Sequence, residues 1–361
     1  MINILGSKYF CSTEHYMKIA LVIDKFVIGG GLEHIYQICK NMQDVEFGIF
    51  GKDGDGKDKF NNLLNVKIFN KGYDKNYVMS FGADIIHIHH LKPLLALYTI
   101  NVKKIFTVHG IHLRKYDFIK GLKSKIFKFL RLNLEKYLYK KTELIVTVSN
   151  DDQEYLKRHY GINSYVIYNG IDFSPMENLI NNKNISRRDL LLPFNQVLYL
   201  TVARFDFPKG YDILVGAIRE LKYLNEIQDK IFIFVGDGPL LDEIKNLVIK
   251  YDLNDYVYFM GNRNNVYEIM NACDCFVLPS RWEGFPISLI EAIGCNLPII
   301  ASDASGNRTI HNMEKSVVLF KNLDISDLCR KLLSIPIPNY VNKDIFCVSN
   351  MVLKLKKIYN I

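Results

Sequence analysis

Apolar residues in this chain fall in short runs separated by turns rich in glycine, proline and asparagine. Residues 17–23, Met-Lys-Ile-Ala-Leu-Val-Ile, predict a buried first strand of a parallel sheet. Further runs follow at 45–50, 66–69, 84–89, 104–108, 144–148 and 165–167, alternating with turns and helical stretches. That alternation is the pattern of βαβ units with right-handed crossovers, so the predicted class is α/β.

A polar, asparagine-rich stretch over 176–189 reads as a junction, and beyond it the pattern restarts. Strands are predicted at 196–203, 230–235, 256–259, 275–278 and 297–301, with helices between. The division expected is an N-terminal Rossmann-like domain over 1–178 and a C-terminal one over 179–345. A last helix over 346–361 is expected to return towards the first domain. Two such halves leave a cleft, and the carboxyl ends of parallel strands are where ligands usually bind. Residues 1–16 show no clear periodicity and no charged-then-apolar leader pattern. Met17 is one candidate start, and a short ordered extension fits equally.

The chain has 361 residues, too long for one core and suited to two α/β domains. No apolar stretch approaches the ~18 residues a membrane span needs. Seven cysteines without regular spacing fit a reducing, cytoplasmic setting. Net charge is +8, and all of it is local. Residues 114–141 hold ten Lys and Arg against Asp117 and Glu135, which leaves the remainder balanced at 36 against 36. One basic segment points to one anionic partner on one face rather than to general nucleic-acid affinity. Its helical pattern carries Leu122, Ile126, Phe127, Phe129, Leu130, Leu134 and Leu138 between lysines and Arg131. A basic amphipathic helix can lie on an anionic membrane surface. The plainer alternative is a helix packed on the sheet with a solvated lysine face.

Candidate chemistry gathers where predicted strands end. After the strand at 275–278 comes Pro279-Ser280-Arg281-Trp282-Glu283-Gly284-Phe285-Pro286, then a helix holding Glu291. Free backbone N–H groups at that helix start can bind ligand oxygens. Glu283 and Glu291 can face sugar or ribose hydroxyls; alternatively Glu283 caps the helix and Glu291 is merely exposed. After the strand at 196–203, Arg204 and Lys209 lie five apart in a loop entering a helix, a spacing that can bracket a diphosphate. A solvated basic loop is the competing reading. Gly236-Asp237-Gly238-Pro239 reads as a structural turn.

In the first half, Gly29-Gly30-Gly31-Leu32-Glu33-His34 follows the first strand and opens a helix, letting backbone approach a ligand closely. It lacks the spacing of a dinucleotide fingerprint, which disfavours NAD. His109-Gly110 follows the strand at 104–108, where the histidine can bond a sugar or phosphate or serve a structural role. His87 and His89 share a strand face, but with no carboxylate or cysteine spaced to join them, packing is favoured over a metal site. Asp53-Gly54-Asp55 and the Cys273/Cys275 pair also lack the remaining ligands of a metal loop.

Together these stretches resemble the GT-B-fold retaining glycosyltransferases of glycosyltransferase family 4. The resemblance runs through the glycine loop, the 84–90 strand, Thr107-Val108-His109-Gly110 and Val148-Ser149. It continues through Tyr168-Asn169-Gly170-Ile171-Asp172, the Arg204/Lys209 pair, Gly236–Pro239 and the E-x7-E stretch from Glu283 to Glu291. It implies two Rossmann-like domains facing a cleft. Arg204 and Lys209 would hold the donor diphosphate, and Glu291 the ribose. Glu283 with the backbone of Gly284, Phe285 and Pro286 would hold the donor sugar. His109 would touch that sugar from the other domain, and Gly29, Gly30 and Gly31 would lie near the diphosphate or acceptor. The donor expected is a nucleotide-sugar, with a UDP-sugar as the expected type, and with no metal and no cofactor. Gly306-Asn307-Arg308-Thr309 departs from the family's usual glycine pair and glutamate, which leaves the region beyond Ser305 without an implied role.

The expected activity is transfer of a hexosyl unit to a glycan or lipid-linked acceptor in surface polysaccharide, lipopolysaccharide or capsule biosynthesis, by a cytoplasmic enzyme peripheral to the membrane. A nucleotide-sugar epimerase of the same fold and a non-catalytic membrane- or glycan-binding protein are the alternatives.

Overall fold

A computed structural model describes residues 17–119, 121–177, 179 and 183–361. The expectations for residues 1–16 and the exact junction between 178 and 183 therefore fall outside the described residues. Eight strands make the first sheet: β1 (Met17–Lys25), β2 (Val45–Lys52), β3 (Val66–Phe69), β4 (Lys71–Gly72), β5 (Ile85–Ile88), β6 (Lys103–Val108), β7 (Leu144–Thr147) and β8 (Tyr165–Val166). Their order is β3-β2-β1-β5-β6-β7-β8, parallel throughout, with β4 antiparallel on β2. Six strands make the second: β9 (Val197–Val202), β10 (Lys230–Val235), β11 (Val257–Gly261), β12 (Cys275–Leu278), β13 (Ile299–Ser302) and β14 (Val317–Phe320), in the order β11-β10-β9-β12-β13-β14.

Both central strands are sealed on two faces. Ile19, Leu21 and Ile23 enter one core cluster, while Ala20 and Val22 enter the cluster on the opposite face. In the second sheet Ile231, Ile233 and Val235 of β10 face one way, and Phe232 and Phe234 the other. That double burial explains why these strands read as continuous apolar runs instead of alternating ones. In each sheet the chain order reverses beside the first strand, between β1 and β5 and between β9 and β12. A crevice opens at the carboxyl ends there.

Two predicted features need correction. The strand β14 was not among the predicted ones; it is an edge strand that pairs only with β13, and its inner residues Val318 and Leu319 are only partly buried. The stretch at 176–189 is not simply polar linker, because Lys183–Asp189 is helical and docks on the second domain. Arg187, buried there, donates to the Ala272 carbonyl at 2.8 Å and pairs with Asp274. The basic segment is a turn over His112–Asp117 followed by a helix, Leu122–Tyr139.

The last helix, Val348–Tyr359, packs in the first domain, where Met351, Val352, Leu355 and Tyr359 share a core with Ile19 and Leu21. The chain thus passes between the domains twice, and the two passages touch. Ile171 and Cys347 form a parallel bridge: Ile171 N–H donates to Phe346 at 3.0 Å, and Val348 N–H to Ile171 at 2.9 Å. Gly170 is required there, since a Cβ would fall 2.7 Å from the Cys347 carbonyl oxygen.

Candidate active site in the interdomain cleft

The loops after β9 and β12 are locked together before any side chain reaches the cleft. Gly210, at φ +68°, packs so closely on Pro279 that a Cβ would lie 2.1 Å from its carbonyl oxygen. Arg281 forks onto Asp212 and donates to the Phe207 carbonyl at 2.9 Å. This docking sets Lys209 Nζ 2.7 Å from Glu283 Oε1, which also accepts from Ser280 Oγ at 2.6 Å. Glu283 is buried, so it is neither a helix cap nor a solvated residue. Arg204 is exposed, with no ion pair among the described residues, and its guanidinium is available to a ligand. The turn 236–239 braces this loop from behind, with Phe205 N–H donating to the Asp237 carbonyl at 3.0 Å.

The other domain meets this surface at glycines. Gly284 sits against the end of β6, where a Cβ would come 2.2 Å from the His109 carbonyl oxygen. Gly110, at φ +132°, faces Gly284 in turn. Asn169 Nδ2 donates to the Phe285 carbonyl at 2.8 Å, and Tyr168 stacks on the Phe285 ring. Phe118 packs on both Phe207 and Trp282. Arg308, in the region left without an implied role, reaches Asp151 of the first domain at 3.6 Å. Gly306 lies beneath Gly284, and Ser305 Oγ donates to the Glu283 carbonyl at 2.6 Å.

Helix Gly30–Asn41 begins opposite helix Ile287–Gly294, with the Cβ position of Gly30 3.8 Å from the Ile287 side chain. The Cβ positions of Gly29 and Gly31 meet open space. Two helix N-termini, each with free N–H groups and a partial positive charge, thus converge on one spot and suit an anion. Pro286 precedes the second helix as its cap residue.

Glu291 accepts from the Tyr267 hydroxyl at 3.3 Å. Burial, and then the nearby Glu33 carboxylate, raise its pKa to about 7. Glu33 is itself held by Lys59 and by Gln37 Nε2 at 2.9 Å. Tyr267 was missed in the sequence because nothing in its neighbourhood marks it; only the fold brings it to Glu291.

His109 is half-buried, its Nε2 lying 2.9 Å from His89 Nδ1. His34 adds a third ring, 4.9 Å from His109 by centroids. Burial holds His34 near pKa 4 and His109 well below the usual range, so these rings are neutral. The sequence placed His87 with His89 and found them no partners. The rings are indeed neighbours, 4.2 Å apart by centroids, but His87 bonds Tyr359 Oη at 2.6 Å and Thr107 Oγ1 at 2.7 Å. The partners of His89 come instead from His34 and His109, on other elements.

The basic helix departs from the plainer of its two readings. Of the seven apolar residues named above only Leu138 is buried, while Leu122, Ile126, Phe127, Phe129, Leu130 and Leu134 are exposed, Phe129 by 67%. Lys123 and Lys125 stand exposed among them. No helix among the described residues is long and apolar enough to cross a membrane.

Two Rossmann-like domains closing on a cleft of this kind define the GT-B class of glycosyltransferases. Sucrose-phosphate synthase of Thermosynechococcus elongatus has the same fold, with a TM-score of 0.80 at 20% identity over 95% of this chain and 98% of that one. HepE of Anabaena, in complex with UDP and glucose, aligns with a TM-score of 0.78 at 19% identity over 95% and 99% of the two chains. Among curated proteins, the Escherichia coli UDP-Gal:alpha-D-GlcNAc-diphosphoundecaprenol alpha-1,3-galactosyltransferase is 28% identical over 76% of this chain and 75% of its own length. Residues 28–174 match the model described as Glycosyltransferase Family 4, and 182–336 that described as Glycosyl transferases group 1; the chain belongs to this glycosyltransferase family.

Proposed function

We propose that this enzyme moves a sugar from a UDP-sugar to a lipid-linked diphosphate-sugar acceptor at a membrane surface, with retention at the anomeric carbon and without a metal ion. The observation that carries this reading is the meeting, in one cleft, of Lys209 with Glu283 and of two helix N-termini beside Glu291, with Arg204 exposed on the same loop as Lys209. A diphosphate leaving with developing charge is stabilised by such fixed cations and N–H groups. Glu291 accepts from the ribose hydroxyls. Glu283, held in place by Lys209 and Ser280, accepts from a donor-sugar hydroxyl, and His109 meets that sugar from the opposite wall.

In the retaining step, the bond from the anomeric carbon to the leaving phosphate oxygen breaks. The acceptor hydroxyl forms its new bond on the same face, and its proton passes to that phosphate oxygen. Closure of the domains at Gly110 and Gly284 keeps water out and favours transfer over hydrolysis. The related galactosyltransferase from Escherichia coli, named for a diphosphoundecaprenol acceptor, and HepE, bound to UDP and glucose, support the choices of acceptor and donor. The exposed apolar residues and lysines of helix Leu122–Tyr139 support a seat on an anionic bilayer, where such an acceptor resides.

The test is a UDP-release assay with UDP-galactose or UDP-glucose and a diphosphoundecaprenol-linked GlcNAc acceptor, in EDTA, with the product linkage read by NMR. Acceptor-dependent UDP release and an α-linked product support the proposal. Sugar-nucleotide conversion without acceptor would instead mark an epimerase, and a β-linked product would overturn retention.

A further inference from the structure

The histidines of the cleft wall exceed what holding a donor sugar requires. His34, His89 and His109 each offer one ring nitrogen, and these nitrogens lie within 4.8 Å of one another. They arrive from three places: the glycine-loop helix, the end of β5 and the end of β6. His34 and His89 are buried, and His34 Nδ1, His34 Nε2 and His89 Nε2 have no hydrogen-bond partner. An unpartnered buried polar group costs about 1–3 kcal/mol, so a fold that assembles several in one place has a use for their lone pairs.

His89 Nδ1 and His109 Nε2 share a hydrogen bond at 2.9 Å; an ion taking both would displace the shared proton to the far nitrogen of its ring and widen the pair to about 3.3 Å, the separation of two nitrogens bound to one tetrahedral ion at ~2.0–2.1 Å. Three imidazoles without carboxylate suit zinc and its neighbours rather than magnesium, calcium or manganese.

We propose that His34, His89 and His109 form a binding site for a zinc-like divalent cation, with water as the fourth ligand. His87, anchored by Tyr359 and Thr107, backs the His89 ring. The proposal concerns the ion alone and does not depend on the identity of the donor.

The full chain, stripped with EDTA, is titrated with Zn²⁺ by calorimetry and with Co²⁺ by visible absorption. Binding of one ion, with the intense bands of tetrahedral cobalt, is the expected result. Affinity should fall more than about tenfold in His34→Ala and His89→Ala, as losses of metal-supporting groups do, and stay unchanged in the surface variant His159→Ala. Should His34→Ala fail to fold, the volume-conserving His34→Gln carries the same test. Absence of stoichiometric binding to the wild type, or binding equal in the wild type and the cluster variants, overturns the proposal.

Discussion

Removing the charge of Glu33 should change how donor binding depends on pH. Glu291 has a pKa of about 7 in place of the ordinary 4.5, with burial the larger cause and Glu33 the next. For an acid raised in this way the folded state binds its proton more tightly. The stabilisation is complete below pH 4.5 and is lost as pH rises through 7, a difference of up to about 3 kcal/mol for the empty cleft at 1.36 kcal/mol per unit. A carboxylate accepting from two ribose hydroxyls must be ionised. About nine-tenths of Glu291 is ionised at pH 8 and about a tenth at pH 6, so affinity for UDP-glucose should fall roughly tenfold between them. UDP-glucose is the better probe because its diphosphate does not titrate in this range, whereas the terminal phosphate of UDP does. In Glu33→Gln the Glu291 midpoint moves down, the tenfold fall shrinks, and the empty protein melts higher than wild type at pH 8 but not at pH 5. Calorimetric titration at four pH values reads the first effect and thermal melts the second. A UDP-glucose affinity that is flat from pH 8 to 6, or a Glu33→Gln curve lying on the wild-type one, would refute the assignment of Glu291 as an ionised ribose acceptor under electrostatic pressure from Glu33.

Lys209→Ala should lower transfer by at least about a hundredfold and destabilise the fold by roughly 3 kcal/mol, because Glu283 is left buried and unpaired. Adding Glu283→Gln should restore the melting temperature but not the activity; recovery of activity would mean that Lys209 serves only Glu283. Gly284→Ala places a methyl group against the His109 carbonyl, so small-angle scattering should show a more open molecule and transfer should collapse; an unchanged scattering profile with normal turnover would count against closure at this contact. Reversing Lys123, Lys125, Lys128 and Arg131 to Glu should release the protein from vesicles containing anionic lipid, and Phe127→Ser with Phe129→Ser should do so at any salt concentration; retention by both sets would remove the membrane seat. Leu355→Ala, in the core shared with β1, should cost 2–5 kcal/mol, and hydrogen exchange should show protection lost in the first sheet but kept in β9–β14.

The parts of this molecule that could be read in advance are those whose signal is local. β1 and β10 are buried on both sides, so their own residues announce them; Glu283 and Glu291 lie on one loop and the helix it feeds, so their spacing carries meaning. Lys209 could be marked as a cation but not as the partner of Glu283, since that contact depends on Gly210 packing against Pro279. Glu33 and Tyr267 reach Glu291 from different domains, and no spacing in the chain records it. The histidine cluster was hidden for the same reason, as His34 comes from a helix and His89 and His109 from two strands. The basic helix was legible as amphipathic but not in what covers it. Its apolar spacing suits a membrane surface or a sheet equally, and only the arrangement of neighbouring elements shows that Phe127 and Phe129 are left uncovered.

The paired passages at Ile171 and Cys347 have a mechanical consequence. A single connecting strand would let one domain swivel freely about the other. Two strands laced by hydrogen bonds behave as a door hung on two pins: the leaf can swing, but it cannot rotate in its plane. Any swing of one domain against the other would therefore be held to one arc, with His109 kept in register above Gly284. Cutting either strap, or adding a methyl group at Gly170 to pry them apart, would turn a repeatable stroke into a loose one.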